Sequence, residues 1–347
     1  MEISLTAFIL IVGCIPIARS QSAGGFSIKE RPEQRQVDIL YGQQLLTAYC
    51  YYDSIRKPIL FPVNTPDGVT VTRGYPLASR AGERTDHPHH TGIWLNYESV
   101  NGLDFWNNST AIALDKRNLY GTILHQQVVS KQADKNKAVL TIAASWIRPD
   151  KKTLLKELTT FTFTVAGNSF FIDRKTALTA DTVVVFKDVK DGFMAIRVAR
   201  ELEMPSKEAT EFIDDKGNVT KVDGSTSGEV TGMYHSSEGI NGDAVWSTKG
   251  RWAILTGRTK GKEITIGIID HPSNRGYPAY WHARGYGLFA INPLGRKIFS
   301  NGAEEMNLSL QQGESVTFRY RVIIHSGAPL TDKQMNGYAD DFGKIVQ

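Results

Sequence analysis

The feature that most constrains this chain is a period of two in its apolar residues. Within 315–327, Val316, Phe318, Tyr320, Val322 and Ile324 fall on one side, while Thr317, Arg319, Arg321 and His325 fall mainly on the other. Successive side chains of a strand point to opposite faces, so this run is a half-buried strand. Ile264, Ile266 and Ile268 repeat the pattern. The stretch 158–178 reads as a hairpin: Phe161, Phe163 and Val165 lead in, Ala166-Gly167-Asn168-Ser169 turns, and Phe171 begins the return. Segments 137–147 and 251–258 are further strands.

Helical signal is confined to the C-terminal end. Thr331-Asp332-Lys333-Gln334 is a capping-box pattern, and Met335, Tyr338, Phe342 and Ile345 follow at helical spacing. The polar segment from Pro205 to Ser227 reads as a long loop or flap. The 31 glycines suit many short strands joined by tight turns. Together these predict an all-β fold: one large antiparallel β-sandwich domain over residues 21–347 with a short C-terminal helix.

Composition excludes several classes. At 41% hydrophobic and 22% charged, the chain is globular rather than disordered. Its net charge of +4 is spread without a basic block, which argues against a nucleic-acid partner and leaves an anionic sugar such as a uronic acid acceptable. The apolar run Ile3–Ile17 ends in Ala18-Arg19-Ser20, so residues 1–20 read as a signal peptide and the protein as exported, periplasmic or extracellular. Ile11-Val12-Gly13-Cys14 offers a lipoprotein alternative. Loss of Cys14 leaves Cys50 without a disulfide partner. No later segment is long and apolar enough to span a membrane.

Chemistry concentrates in two stretches. In Asp86-His87-Pro88-His89-His90, Pro88 keeps His87 out of the helical region. If the segment is extended, His87 and His89 share one side and His90 takes the other. Such imidazoles can share a metal, bond a ligand's hydroxyls or pass protons, with Asp86 orienting one of them. Arg84 precedes them; Trp94 and Trp106 follow. The second stretch, 270–295, carries His271, Asn274, Tyr277, Trp281, His282, Arg284 and Asn292. Aromatic faces beside Arg, Asn and His suit a pyranose, which stacks its C–H face and hydrogen-bonds its hydroxyls. Arg73-Gly74-Tyr75-Pro76 near the first Asp-His-Pro is echoed by Arg275-Gly276-Tyr277-Pro278 near the second, as if two similar turns met around one cleft. His235 and Glu238 read as loop residues, and Arg197, Arg200 and Glu201 as a structural charged face. Phosphate-loop, GxSxG, HExxH and Rossmann patterns are absent.

Residues 82–109 together with 268–295 resemble the PmoA-like family, labelled methane oxygenase, across nearly the whole chain after residue 20. That label implies an integral membrane oxygenase subunit, which a chain without spanning helices does not suit. The layout is also similar to the galactose-mutarotase-like β-supersandwich. That likeness implies histidines and a carboxylate acting on sugars, with Glu83, Glu238, Asp270 and Glu305 as candidates for the carboxylate. The function expected is a carbohydrate-active lyase, hydrolase or epimerase without a required cofactor. His87, His90, His271 and His282 would be its catalytic groups, and Arg84, His89, Trp94, Trp106, Asn274, Tyr277, Trp281, Arg284 and Asn292 would hold the sugar. The alternatives are a non-catalytic glycan binder and a divalent-metal oxygenase with ligands His87, His89 and His271.

Overall fold

A computed structural model describes residues 24–214, 216–225 and 230–345. The leader expected over residues 1–20, with Cys14, lies outside the described residues. Two eight-stranded antiparallel sheets face each other. In spatial order the first holds Phe26–Arg31, Gln36–Tyr41, Gln44–Cys50, Ile59–Val63, Ile93–Tyr97, Gly192–Arg197, Leu288–Asn292 and Tyr280–Arg284. The second runs Met233–Ser236, Trp252–Thr259, Lys262–Asp270, Ser315–Ser326, Ser169–Ala180, Thr153–Ala166, Lys137–Ile147 and Thr122–Ala133. This is the expected all-β sandwich with a short C-terminal helix, Asp332–Gly343.

The period-two residues build the core between the sheets. Ile93, Leu95, Met194, Ile196, Phe289 and Ile291 enter it from the first sheet. Ile264, Ile266, Ile268, Phe318, Val322 and Ile324 enter from the second. Each buried side chain of this size contributes about 1.5–3 kcal/mol. The expected hairpin forms around Gly167 at φ +57°.

The outer faces of the two sheets differ. On the second, Phe171, Trp252, Ile254, Ile269 and Ile323 are covered by Met335, Ala339 and Phe342 of the C-terminal helix. That helix starts with the expected capping box of Thr331 and Gln334. On the first, the opposite parity from the core turns Trp94, Ala195, Leu288 and Ala290 outward into a second buried cluster with Trp106. The same parity places Arg197, His282 and Arg284 on this outer face. The segment expected as a loop from Pro205 is instead a β-hairpin, Ser206–Ile213 with Val219–Ser225. Its polar sequence hid the strand period, because among the described side chains of the two strands only Phe212 is well buried.

Candidate functional site

The loop 84–90 is fixed over the outer face of the first sheet by two buried arginines. Arg73 donates Nη1 to the Asp86 carboxylate at 2.8 Å and to the Asp86 carbonyl at 2.8 Å. Its Nη2 donates to the carbonyls of His87 at 2.8 Å and His90 at 3.0 Å. Arg197, fully buried, donates Nη2 to the same Asp86 oxygen at 2.7 Å. Lys57 donates to the His89 carbonyl at 2.6 Å. Gly92, at φ +58°, lets the loop enter the sheet, since a Cβ there would lie 2.2 Å from the Leu60 carbonyl oxygen.

Of the two forms the sequence allowed here, extended or turn, this clamp shapes the turn. His87 sits at φ +45°, and the His90 N–H donates to the His87 carbonyl at 2.9 Å. All three imidazoles therefore gather, instead of alternating between sides. Near-parallel rings run from Tyr286 through His87 (5.1 Å) and His90 (4.7 Å) to Trp94 (5.3 Å). The His89 ring meets that of His90 edge-on at 4.4 Å. Trp106 closes the inner end, 5.6 Å from His90.

Each ring has its own electrostatic setting. Arg197 Nη1 lies 3.3 Å from His90 Nδ1. A guanidinium only donates, so Nδ1 accepts and the His90 proton sits on Nε2. Burial, then His89 and Arg197, holds His90 well below its ordinary value. Burial and Lys57 push His89 down to about 2. Burial, then Lys190 and Arg284, pushes His282 down to about 3. Asp86 behaves oppositely. Burial alone would raise it, but the His87 ring, Arg197 and Arg73 together hold it well below the carboxylate range. His87 Nδ1 stands 3.4 Å from Asp86 Oδ2, within ion-pairing distance but without a hydrogen bond, and its side chain is 39% exposed. Because Nδ1 is buried, Nε2 is the edge offered to solvent.

That edge opens on a cleft of about 740 Å³ between the sheet and the hairpin. Its sheet side is lined by His87, His282, Arg284 and Tyr286, with Trp246 and Lys190 beside them. The hairpin supplies Ser206, Glu208, Ala209 and Thr210. Arg84 ties the two walls together, donating Nε to Glu203 at 2.7 Å and Nη1 to Thr210 at 2.8 Å. The carboxylates on the lining are Asp86, Glu208 and Asp243. The four carboxylates expected from sequence lie elsewhere. Glu83 caps the Gly74 and Tyr75 N–H groups, Asp270 lies under the second sheet's own loop, and Glu238 and Glu305 are outside the cleft.

Of the residues singled out in the sequence, His87, His282, Arg84 and Arg284 line the cleft, and His89, His90, Trp94 and Trp106 support it from behind. His271, Asn274, Tyr277 and Trp281 do not join them. His271 follows a second-sheet strand, contacts Phe342 at 5.0 Å and pairs with Ser273. Asn274 is spent on Asp270 and the Arg319 backbone, and Tyr277 is absent from the lining. Trp281 has the core parity and is fully buried between the sheets. Asn292 accepts from the Leu294 and Gly295 N–H groups and donates to the carbonyls of Val189 and Lys190, holding the turn that carries Lys190. The two RGYP turns do not meet: Arg73 clamps the loop, whereas Arg275 borders a separate surface hollow. The metal set His87, His89 and His271 is thus not assembled, and among the described residues no group of three His, Cys, Asp or Glu could hold a metal ion. His235 bonds Asn241 and Asp332 and so anchors the C-terminal helix.

Sequence reading missed Lys190 and Trp246, and it took Arg73 only as part of a turn and Arg197 as a structural charged face; Tyr286, an aromatic of the 270–295 stretch, does line the cleft. For Arg197 a signal was present: it ends the otherwise apolar strand Gly192–Arg197 in phase with Ala195, and nothing in a solvated charged face explains that phase.

Fold and site together define an antiparallel two-sheet sandwich with an imidazole-lined polar cleft on one outer face. The chain belongs to DUF6807, a family of unknown function, which it matches over residues 36–340. That finding corrects the PmoA-like membership expected from the paired stretches, and the methane oxygenase implication goes with it. No curated protein matches the chain. Among solved structures it is similar to the galactosidase domain of the alpha-galactosidase-sucrose kinase AgaSK, at TM-score 0.41 and 11% identity, covering 87% of this chain and 42% of that one. It is similar to the GH36 alpha-galactosidase AgaB from Geobacillus stearothermophilus, at TM-score 0.32 and 11% identity, covering 90% and 42%. A galactose mutarotase related enzyme from Lactobacillus acidophilus gives TM-score 0.28 and 9% identity, covering 87% and 98%. The chain thus spans less than half the length of the two galactosidase chains. Similarity at this level assigns neither a substrate nor a residue role. Among the described residues no helix is long and apolar enough to cross a membrane.

Proposed function

We propose that this is an exported carbohydrate-active enzyme in which His87 moves a proton on a sugar bound between the first sheet and the hairpin. The observation that carries the reading is the Asp86–His87 pair, with its imidazole stacked on Tyr286 and its free edge toward the cleft. Asp86 stays ionised beside Arg73 and Arg197, so it orients His87 and favours the imidazolium that forms during proton transfer. Trp246 offers an aromatic ring for the sugar, and Thr210, Arg284 and Lys190 offer donors for its oxygens. The neutral His282 supplies a second imidazole on the same lining. A volume near 740 Å³ suits a mono- or disaccharide. Export rests on the apolar run Ile3–Ile17 and the Ala18-Arg19-Ser20 site.

The test is an NMR time course with neutral and acidic mono- and disaccharides, run with wild type and His87→Ala. Wild type should alter at least one sugar by anomeric exchange, epimerisation or bond cleavage, and EDTA should leave that rate unchanged, because the reading requires no metal. Binding without any turnover by wild type would replace this reading with that of a glycan-binding protein.

A further inference from the structure

Building on that reading, we propose that the sugar carries a carboxylate, as a uronate or aldonate does, and that Arg284 with Lys190 receives it. Arg284 ends the strand Tyr280–Arg284, on the same face as His282 and two residues beyond it. Its guanidinium carbon stands 5.6 Å from the Trp246 ring centroid and 5.9 Å from that of Tyr286. Two aromatic faces thus flank the cation, but none of the described carboxylates pairs with it. The other arginines near the cleft are committed. Arg73 and Arg197 share Asp86, and Arg84 is bonded to Glu203. Among the described residues, Arg284 is the lining arginine whose N–H donors are not held by a carboxylate.

Lys190 strengthens the same wall. Its ammonium lies 3.5 Å from the neighbouring Asp191, and its side chain remains 47% exposed. His282 senses both cations: after burial, Lys190 and Arg284 are the groups that keep it neutral. Asp191, 3.5 Å from Lys190 and 3.9 Å from His282 Nδ1, offsets part of this charge, and the acids of the lining leave Arg284 unpaired. Asp86 is balanced by two arginines, and neither Glu208 nor Asp243 pairs with Arg284. A planar guanidinium takes a carboxylate through two parallel hydrogen bonds, which a neutral hydroxymethyl group cannot reproduce.

Calorimetric titration of the full chain decides the matter, using glucuronate against glucose, galacturonate against galactose, and cellobionate against cellobiose. At least one acid should bind about tenfold or more tightly than its neutral partner. Arg284→Gln should abolish that preference, weakening the acid about tenfold or more and the neutral sugar far less, while Arg284→Lys retains part of the preference. Added salt should weaken only the acid. Equal binding of acid and neutral sugar, or a preference that survives Arg284→Gln, overturns the carboxylate subsite and leaves the carbohydrate reading standing. Absence of binding by every sugar of either kind overturns both.

Discussion

The chain writes Asp-His-Pro twice, and the two copies end on opposite outer faces of the sandwich. Asp86-His87-Pro88 lies on the first sheet, where Arg73 and Arg197 hold its aspartate and a cleft opens beside its histidine. Asp270-His271-Pro272 lies at the end of a second-sheet strand, under the C-terminal helix. There the aspartate has only neutral partners, the Asn274 amide at 2.7 Å and the Ala279 N–H at 3.0 Å. The same tripeptide therefore carries an ionised, arginine-bound carboxylate in one place. In the other, burial pushes the carboxyl up to about 7. What surrounds the tripeptide, not the tripeptide itself, decides whether its histidine reaches a ligand.

Activity is where the two copies should differ most. His87→Ala should lower turnover by about 10²–10⁴-fold, the usual worth of a general acid or base. His271→Ala should leave it within about twofold, since its ring faces Phe342 and Ser273. Equal losses in steady-state assays of both variants would erase the distinction.

Stability should separate the aspartates next. Asp86→Asn leaves two buried guanidinium groups short of one negative charge and should cost about 3–5 kcal/mol in urea unfolding. Asp270→Asn removes no ion pair and should cost about 1–3 kcal/mol, from one mismatched hydrogen bond. A larger loss at Asp270 than at Asp86 would mean that the arginines find other partners.

The sheets were legible in the sequence because burying one face of a strand demands period two, and Phe318 to Ile324 or Ile264 to Ile268 obey it. The capping box was legible for the same local reason: Thr331 and Gln334 meet within one turn. Half of the cleft was legible too, through His87, Arg84, His282 and Arg284. The other half was not, because nearness in the chain misleads where the chain changes sheet. Between Asp270 and Tyr280 it crosses from the second sheet to the first, so His271 and His282 part company. Trp281 was misplaced by one position of parity, which in a strand is the whole distance from cleft to core. Arg73 and Arg197 reach Asp86 from 13 and 111 residues away, a pairing that only the folded sheet creates.

Acid should also move the two copies in opposite directions. Asp270 is raised from 3.8 to about 7, so its stabilising contribution is complete below the unfolded value and is lost as pH rises through about 7. Taken in full, that is at most about 4 kcal/mol. Asp86 is depressed, so its contribution is present above about 3.8 and lost as pH falls through its folded value. His89 and His282 are held neutral far below 6.5, so acidification from 6.5 downward favours the unfolded chain. Between about pH 4.5 and 6.5 the Asp270 region therefore offsets part of the acid sensitivity of the cleft. Unfolding free energies across that range should fall more steeply with acid in Asp270→Asn than in wild type. Parallel curves would show that Asp270 titrates normally.

The smallest effect concerns the helix that keeps the second copy closed. Thr331 Oγ1 accepts from the Gln334 N–H, and the Gln334 side chain accepts from the Thr331 N–H at 2.9 Å. Thr331→Ala removes the first of these bonds and should cost about 0.5–2 kcal/mol. The loss should be local, because the helix is joined to the sheet by separate contacts, Arg251 and Trp252 with Asn336 and Phe342 with His271. Amide exchange should therefore quicken across Asp332–Gly343 and around His271, while amides of the 84–90 loop and the turnover rate keep their wild-type values. If exchange quickened equally in both regions, the two outer faces would belong to one cooperative unit. The separation between a closed copy and an open one would then have no energetic meaning.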